Sequence, residues 1–504
     1  PNKLVVSLTL LLFITVIVLI LPINSYTGVF TPLQFNLPNQ FAWEISKTTM
    51  ADNLLFAVGP QNFVHSFYKY KPVSFNQTAY WQLGFTKSAN FWLEILTTAG
   101  MLAILIFLAI IFKFFKQLFL FIKRSELEGT YSFKKYLIAV ALSVIICLYI
   151  IWGFFDNFHF IVLYFLFLFL ALATRILLPV KEVKVFANKN LVNLFSYILA
   201  ILLISVIYFA SPIIIADISI EEVAARDFQT VEDFDQAAQD IEKAISYNPQ
   251  RIDYKLKLAN LYINKLAFLQ NSNEVEYNRE ELEENIFSNL DAVFNIETQI
   301  IDNYLGLRQA YNALTIQGYK VIEKQEQVNT KLLELDPNNP ELYIDRSLIN
   351  FAKYSALKES GINSTDEPTV VYVINQIKSD IEKSIALKAD FVLGYYNLGL
   401  YWQEFGEQEQ ALQSIKQAYQ LDPSQQLIVL SLKKLYLNLD KVNEAIDVLQ
   451  QYLELNPDDH QVRLELAVVF KNQGNVEQAK NELDNILKQD PEHELAAQIL
   501  AEIE

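Results

Sequence analysis

Residues 392–423 read VLGYYNLGLYWQEFGEQEQALQSIKQAYQLDP, and this stretch decides the fold of the C-terminal half of the chain. Apolar residues recur at helical spacing on both sides of Gly406, which predicts two helices joined by a turn. The stretch ends at Pro423, and Pro457 and Pro491 follow at intervals of 34 residues. The spacing therefore predicts an array of helix pairs, an all-α architecture.

A 34-residue period is typical of the tetratricopeptide (TPR) repeat, which this part of the chain resembles. The pattern needs small residues where helices cross closely and large residues in the spaces between them. It is carried by Tyr395, Leu398, Gly399, Trp402, Ala411, Ala418 and Pro423, and in the later blocks by Ala445, Pro457, Ala479 and Pro491. The resemblance implies a right-handed superhelix, an α-solenoid whose concave surface binds a partner.

Upstream of this block the period is looser. Asn271 and its neighbours predict a break, and Pro337 lies 52 residues before Ala389, which is 18 more than one period. We therefore expect an insertion near residues 359–369, in a surface loop. The sequence predicts about six repeats within a TPR domain over residues 216–504, and residues 492–504 would cap it.

Charge divides the chain near Pro212. Residues 1–212 contain 15 Lys or Arg and 7 Asp or Glu, a net charge of +8, whereas the remainder contains 25 and 50, a net charge of −25. The first part is expected to lie mostly in lipid, and the acidic second part is expected to repel nucleic acid. One cysteine, Cys147, excludes a disulfide scaffold, and no motif predicts a metal site or a cofactor.

Five apolar runs predict a polytopic helical membrane domain: 4–21, 91–112, 136–152, 158–178 and 191–215. They give one transmembrane helix in residues 1–22, an extracytoplasmic loop domain over 23–90, and four transmembrane helices over 91–215. The first run could instead be a signal peptide, but the lack of a small-x-small cleavage site favours a retained helix. Because the sequence starts at Pro1, we expect a fragment or a processed form.

Positive charge predicts the orientation of these spans. Lys and Arg are concentrated between the second and third spans and between the fourth and fifth, which places both connections in the cytoplasm. The loop 23–90 and the TPR domain would then lie on the extracytoplasmic side of a multi-pass protein of the cytoplasmic (inner) membrane. One miscounted span would invert this prediction.

The loop 23–90 is long and rich in aromatic residues. Long structured loops are usually functional, whereas Trp and Tyr also concentrate at the headgroup level of membranes, and both interpretations can hold for one loop. Its triplet Asn76-Gln77-Thr78 matches a glycosylation sequon, a pattern that also arises by chance.

Two stretches, residues 53–63 and 88–100, resemble segments of the O-antigen ligase and polymerase superfamily. The first is similar to a Gly-x-Gly-x-x-x-Phe segment, and the second to His-Asn-x-x-Leu followed by Gly. The resemblance implies a membrane enzyme of surface polysaccharide biosynthesis, which transfers a glycan from a polyprenyl diphosphate carrier. Asn90, at the family's Asn position, is implied to bind substrate.

The sequence also departs from that family. Ala57 replaces the first Gly, which is tolerable if its φ is negative, and Ala89 replaces the His that is expected to help deprotonate the acceptor. The loop contains no arginine to hold a diphosphate. Either the missing groups lie upstream of Pro1, or the activity is altered or lost.

Other residues of the loop can supply parts of this chemistry. Lys69 and Lys71 are candidates for binding the phosphates, since departing negative charge needs cations. His65 is a candidate base, although a lone His among aromatic residues is more often a surface or hydrogen-bonded residue. Glu94 is a second catalytic candidate, with snorkelling to the membrane interface as the alternative.

Two classes of function follow. In the first, the chain is the C-terminal part of a membrane glycan ligase or polymerase, inactive by itself, whose partners are lipid, a polyprenyl diphosphate-linked glycan, and a protein or glycan in the TPR groove. In the second, it is a non-catalytic membrane-anchored TPR adaptor. The acidity of the repeats suits a basic or sugar-rich partner, or serves only solubility.

Overall fold

The computed structural model of the chain describes residues 36–503, apart from 61, 129–132, 156–159, 178–188, 272–277, 297, 299 and 363–366. Within these residues every regular element is helical, and the chain divides into two compact units. The predicted span 4–21 lies outside the described residues.

The first unit takes in the residues up to Phe75, then Gln82–Ala313 and Leu335–Pro337. Its helices, the last of which continues into the second unit, are α1 (Asn39–Asp52), α2 (Phe63–Tyr70), α3 (Phe91–Thr98), α4 (Gly100–Glu128), α5 (Phe133–Trp152), α6 (Phe160–Leu177), α7 (Lys189–Ala224), α8 (Val231–Tyr247), α9 (Asp253–Asn271), α10 (Arg279–Phe294) and α11 (Ile301–Ile316). A 3-10 turn covers Val73–Gln77.

Three apolar helices, α4, α5 and α6, share one hydrophobic core. Phe107 and Phe114 of α4 pack with Ile146 of α5 and Leu166 of α6, and all four are buried. In the part of the chain that the structure describes, Gly100–Lys123 is long and apolar enough to cross a membrane, whereas the apolar runs Tyr136–Trp152 and Leu163–Thr174 are shorter.

The run 91–112 does not form the single helix that its composition predicts. It breaks at Ala99 into α3 and α4, because Gly100 adopts a φ of +79°. The chain therefore turns a corner before the long apolar helix begins.

The helix α7 runs without interruption through residue 215, where the sequence suggested a domain boundary. Its 36 residues correspond to about 54 Å at 1.5 Å per residue. Near its end, Ala216, Ile220 and Val223 are buried at helical spacing, and α7 packs against α8. The last predicted span and the helical segment that packs against α8 are thus parts of one helix. The predicted domain boundaries remain predictions.

The second unit comprises Asn76–Trp81, Leu314–Glu334 and Asn338–Glu504. Its helices are α12 (Ile322–Leu335, whose last residue belongs to the first unit), α13 (Pro340–Glu359), α14 (Pro368–Leu387), α15 (Val392–Glu404), α16 (Gln408–Leu421), α17 (Gln426–Asn438), α18 (Val442–Leu455), α19 (His460–Asn472), α20 (Val476–Gln489) and α21 (Glu494–Ile503). From α13 to α20 they form four successive pairs, each packed on the next.

The repeat pattern is confirmed by the packing of α15 on α16. Ala411 and Ala418 are fully buried, and a Cβ atom added at Gly399 would lie 2.2 Å from the Ile415 side chain. Within the second unit, α13 to α20 make four helix pairs and α21 follows them, while the predicted number of about six repeats stays a prediction.

The predicted insertion is mostly helix rather than loop. Helices α13 and α14 have 20 residues each, against 13 in α15 and 14 in α16. Most of the 18 additional residues therefore lengthen the two helices, and only the remainder lies in the connection between Glu359 and Pro368.

Candidate functional site

The loop before α3 has its own aromatic core in the first unit. The Phe67 and Phe75 rings lie 5.3 Å apart at 87°, and Phe41, Phe63 and Phe85 are buried with them. Edge-to-face contacts of this kind stabilise a cluster beyond the burial of area alone. The loop is therefore structured, and its Trp43 and Phe56 are exposed; a position of its aromatic residues at the membrane interface stays a prediction.

His65 and Lys69 are brought together, one turn apart on α2. Partial burial lowers the pKa of the His65 imidazole, and the nearby Lys69 ammonium lowers that pKa further. The Lys69 side chain is 41% exposed and lies 3.9 Å from Asp52, to which the Tyr70 hydroxyl also donates a hydrogen bond. Its surroundings thus favour the neutral form of His65, which lies next to an accessible cation.

Lys71 occupies a different environment. Its ammonium is buried and lies 2.9 Å from a carboxylate oxygen of the fully buried Asp336. It also faces the rings of Phe67 and Tyr68, at 5.9 and 5.5 Å from their centroids. Burial, with Asp302 and Asp336 nearby, raises the pKa of Tyr68 to about 12. Lys71 is therefore engaged inside the protein, and its predicted role in substrate binding stays a prediction.

Asn90 and Glu94 shape the start of α3. The Asn90 side chain caps the helix by accepting a hydrogen bond from the Leu93 amide at 3.1 Å, and it donates to Asn39 at 2.9 Å. The Glu94 carboxylate accepts a hydrogen bond from the Ser88 amide at 2.6 Å. Burial raises the pKa of Glu94, and the Ser88 amide opposes the shift. Both side chains have structural partners, and their predicted roles in the reaction remain untested.

The two stretches that resemble the ligase family contact each other at Gly100. The carbonyl oxygens of Leu54 and Leu55 accept hydrogen bonds from the Met101 and Leu102 amides, at 3.0 and 3.4 Å. A Cβ atom at Gly100 would lie 2.3 Å from the Leu55 oxygen, so only glycine fits there.

Ala57 would replace glycine without strain only if its φ were negative, and it is not. Its φ is +47°, in the left-handed region, where a Cβ atom is unfavourable.

The segment Asn76–Trp81 packs against the repeats inside the second unit. The fully buried Asn76 donates hydrogen bonds to the carbonyl oxygens of Asn338 and Leu387, at 2.8 and 3.2 Å. The Lys388 ammonium returns a bond to the Asn76 carbonyl oxygen at 3.0 Å, and Trp81 packs edge-on against Phe391. The sequon is thus inaccessible in the folded chain. Sequence analysis missed this contact, because its only local signal is an aromatic residue in a polar stretch.

Three of the helices, α15, α17 and α21, expose a leucine at one repeat position, which Gln461 occupies in α19. Leu393, Leu427 and Leu495 are 49%, 61% and 49% exposed, and they are separated by multiples of 34 residues. A shallow depression beside Leu427 is lined by Leu430, Ser431, Lys433, Lys434, Leu437 and Asn438.

The charges in this depression differ from the acidic surroundings. Lys433 pairs with Glu465 at 2.7 Å, whereas Lys434 is exposed. Tyr396 of α15 is buried, and its hydroxyl lies 3.3 Å from the Ser431 hydroxyl. The surface available to a partner is therefore apolar with one exposed cation.

The family model that matches is the tetratricopeptide repeat, at residues 404–462 and 440–503. Residues 404–503 are thus TPR repeats, a class of domain that binds protein partners. No curated protein matches the chain.

Solved structures similar to the chain are TPR or related proteins of low identity. They include YrrB, a TPR protein with an unusual peptide-binding site (16% identity, 42% of this chain and 96% of YrrB, TM-score 0.29). PilF of Pseudomonas aeruginosa is 19% identical over 37% of this chain and 75% of its own, with a TM-score of 0.29. A thermophilic TPR protein of Thermus thermophilus is 18% identical over 52% of this chain and 98% of its own, with a TM-score of 0.24.

Proposed function

We propose that the chain is a membrane-anchored TPR adaptor, which holds a protein-binding surface outside the cytoplasmic membrane. The observation that carries this proposal is the match to the TPR model, together with the leucines that α15, α17 and α21 expose at one repeat position. Exposed apolar residues at equivalent repeat positions favour an elongated protein partner over the alternative that these residues are exposed by chance. The helix Gly100–Lys123 supports the anchor, since it is long and apolar enough to cross a bilayer.

The depression beside Leu427 suggests the chemistry of the partner. Leu427, Leu430 and Leu437 offer apolar contacts, and Lys434 is an exposed cation among them. A protein segment with apolar side chains and one carboxylate matches this surface better than the basic or glycan ligand that net charge alone suggests.

The extracytoplasmic location of the repeats is part of the proposal. The positive charge of the loops supports it. So do the contacts of Asn76 and Trp81 with the repeats, because residues in contact lie on the same side of a membrane.

Site-specific photocrosslinking in cells tests the adaptor function. A photoreactive residue at Leu427 is expected to give a discrete crosslinked product, and Lys434→Glu is expected to weaken that product several-fold. The matched control is Lys488→Glu, which reverses an exposed charge on α20 without touching the depression. Equal crosslinking in both charge variants would contradict the assignment of this surface.

A labelling experiment tests the location. A cysteine at the exposed Gln410, in a Cys147→Ala chain, is expected to react with an impermeant thiol reagent in intact cells. Reaction only after lysis would mean that the repeats are cytoplasmic.

A second candidate function is the glycan transfer that the loop resemblance implies. The contact of the two family-like stretches at Gly100 favours it, whereas Ala89 and the absence of arginine from the loop oppose it. Lys69→Ala is the clean test, because Lys69 is accessible, whereas Lys71→Ala would leave the buried Asp336 without its cation. Undiminished transfer by a Lys69→Ala chain in its native membrane would exclude a role of Lys69 in the reaction.

A further inference from the structure

Two short segments of the first unit, distant in sequence, leave large apolar side chains exposed. One is Leu54, Leu55 and Phe56, which are 54%, 50% and 63% exposed. The other is the turn between α5 and α6, with Trp152, Phe154 and Phe155 at 52%, 58% and 68% exposed. We call these six residues the apolar collar. All six residues are apolar, and an apolar surface of this kind promotes aggregation when it is exposed to water.

The two segments of the collar are fixed at opposite ends of α3. The first is held by the hydrogen bonds from the Met101 and Leu102 amides, at the start of α4. The second is held by the Phe91 amide, which donates to the Gly153 oxygen at 3.1 Å, and by the Trp92 indole, which donates to the Ile150 oxygen at 3.3 Å. The Trp92 and Phe154 rings lie 5.5 Å apart.

The first segment lies at the beginning of the apolar helix Gly100–Lys123, and Phe91 and Trp92, which hold the second segment, pack against Phe107 two turns further along that helix. The exposed side of that helix continues the apolar surface away from the collar, with Leu105, Ile106 and Phe112 at 54%, 54% and 69% exposed. The collar therefore adjoins the first turns of a mostly apolar exposed surface, on which Lys113 and Lys116 are also exposed further along the helix.

We infer that the apolar collar inserts into the bilayer, at the boundary between headgroups and acyl chains of the leaflet that meets the N-terminal end of α4. The inference rests on the proposed membrane anchor. Aromatic residues concentrate at that depth, and a collar fixed to the helix by backbone hydrogen bonds sets how deep the helix lies. The lipid occupant is favoured over a second copy of the chain because the exposed surface is continuous with a helix of membrane-spanning length.

Spin labels in lipid nanodiscs test the inference on the full chain. Single cysteines replace Phe56, Phe155, Phe112 and Gln410 in a Cys147→Ala background, and the accessibility of each nitroxide to oxygen and to a water-soluble nickel chelate is measured. Phe112→Cys is the deep reference, and Gln410→Cys is the aqueous reference. The labels at 56 and 155 are expected to lie between the two references, with an oxygen-to-nickel ratio several-fold above that at 410.

Each other outcome overturns the inference in a distinguishable way. Aqueous labels at 56 and 155 with a deep label at 112 would leave the anchor intact and remove the collar from the bilayer. Labels at 56 and 155 that are protected from both reagents would show that protein covers the collar. An aqueous label at 112, together with release of the chain by alkaline carbonate, would overturn the membrane anchor itself.

Discussion

The methyl group of Ala57 lies on a backbone that favours glycine, with a φ of +47°. A left-handed conformation costs a residue with a Cβ atom about 1–2 kcal/mol. Glycine removes this cost, but it also raises the conformational entropy of the unfolded chain, which offsets part of the gain in stability. We expect Ala57→Gly to raise the free energy of unfolding by about 0.5–1 kcal/mol, measured by thermal unfolding of the full chain in nanodiscs. The control is Ala99→Gly, since Ala99 has a φ of −109° and gains nothing. Equal effects of the two substitutions would contradict the strain at Ala57.

Glu94 is expected to make stability depend on pH. Burial raises its pKa in the folded state, so the folded chain binds this proton more tightly than the unfolded chain does. Its contribution is therefore most favourable below the unfolded pKa and is lost as pH rises through the raised folded pKa. Glu94→Gln keeps an acceptor for the Ser88 amide and removes the titration. The gain in melting temperature of this variant over the parent should grow as the pH rises above about 4, the ordinary pKa of a glutamate; a constant difference would contradict it.

Sequence analysis finds the charged residues of the loop but not their surroundings. Lys69 and Lys71 look equivalent in the sequence, two residues apart between tyrosines. One is largely accessible and the other is buried, because the partner of Lys71 is a carboxylate 265 residues away. No local pattern encodes a partner at that distance.

The ends of the first helices in the repeats follow one rule. Helices α11, α13, α15, α17 and α19 are each followed by a residue with positive φ, and four of these residues are glycine. In all five, the amide of the residue after the one with positive φ donates to a carbonyl oxygen five residues earlier, as from Glu407 to Trp402, from Lys441 to Tyr436 and from Asn475 to Phe470. This closes the final turn with a Schellman motif.

Asp440 is the exception to that rule, with a φ of +55°. We expect Asp440→Gly to stabilise the second unit by about 0.5 kcal/mol, since Asp tolerates this conformation less well than Gly. The reciprocal change at the equivalent position, Gly406→Asp, should destabilise by a similar or larger amount. Chemical denaturation of the full chain, followed by helical circular dichroism, measures both, and changes of equal sign would refute the equivalence of the two positions.

Elements were predictable where the sequence repeats and less so where it does not. The 34-residue period gives α15 to α20 almost completely, because each helix pair meets the same neighbours. The sequence predicts the additional residues of the pair α13 and α14 as a loop, because the extra turns of these helices contain no signature residue of the repeat. The break before α4 was missed for another reason: composition records apolarity but not the approach of the Leu55 backbone to Gly100.

At the scale of the whole molecule, the ion pair of Lys71 and Asp336 joins distant parts of the first unit. Removing one partner leaves a buried charge, so Lys71→Met should cost about 3–5 kcal/mol of unfolding free energy. Lys71→Met combined with Asp336→Asn should cost less than the sum of the single changes.

The control for that cycle is Lys69→Met, at an exposed pair 3.9 Å long, which should cost about 1 kcal/mol or less. Denaturation curves for the parent and the four variants supply the coupling energy. Additive effects at 71 and 336 would mean that the two side chains do not stabilise each other.

The burial of Asn76 also has a consequence for the order of events during synthesis. Its hydrogen-bond partner at Leu387 is 311 residues later in the chain, which corresponds to about 15–60 s at a ribosomal rate of roughly 5–20 residues per second. Throughout that interval the sequon is complete and its burial site has not yet been made. In a host that glycosylates such triplets, a sugar added at Asn76 during this interval would permanently prevent the burial of its side chain. The speed of elongation would then decide in what fraction of chains the Asn76 segment can pack against the repeats.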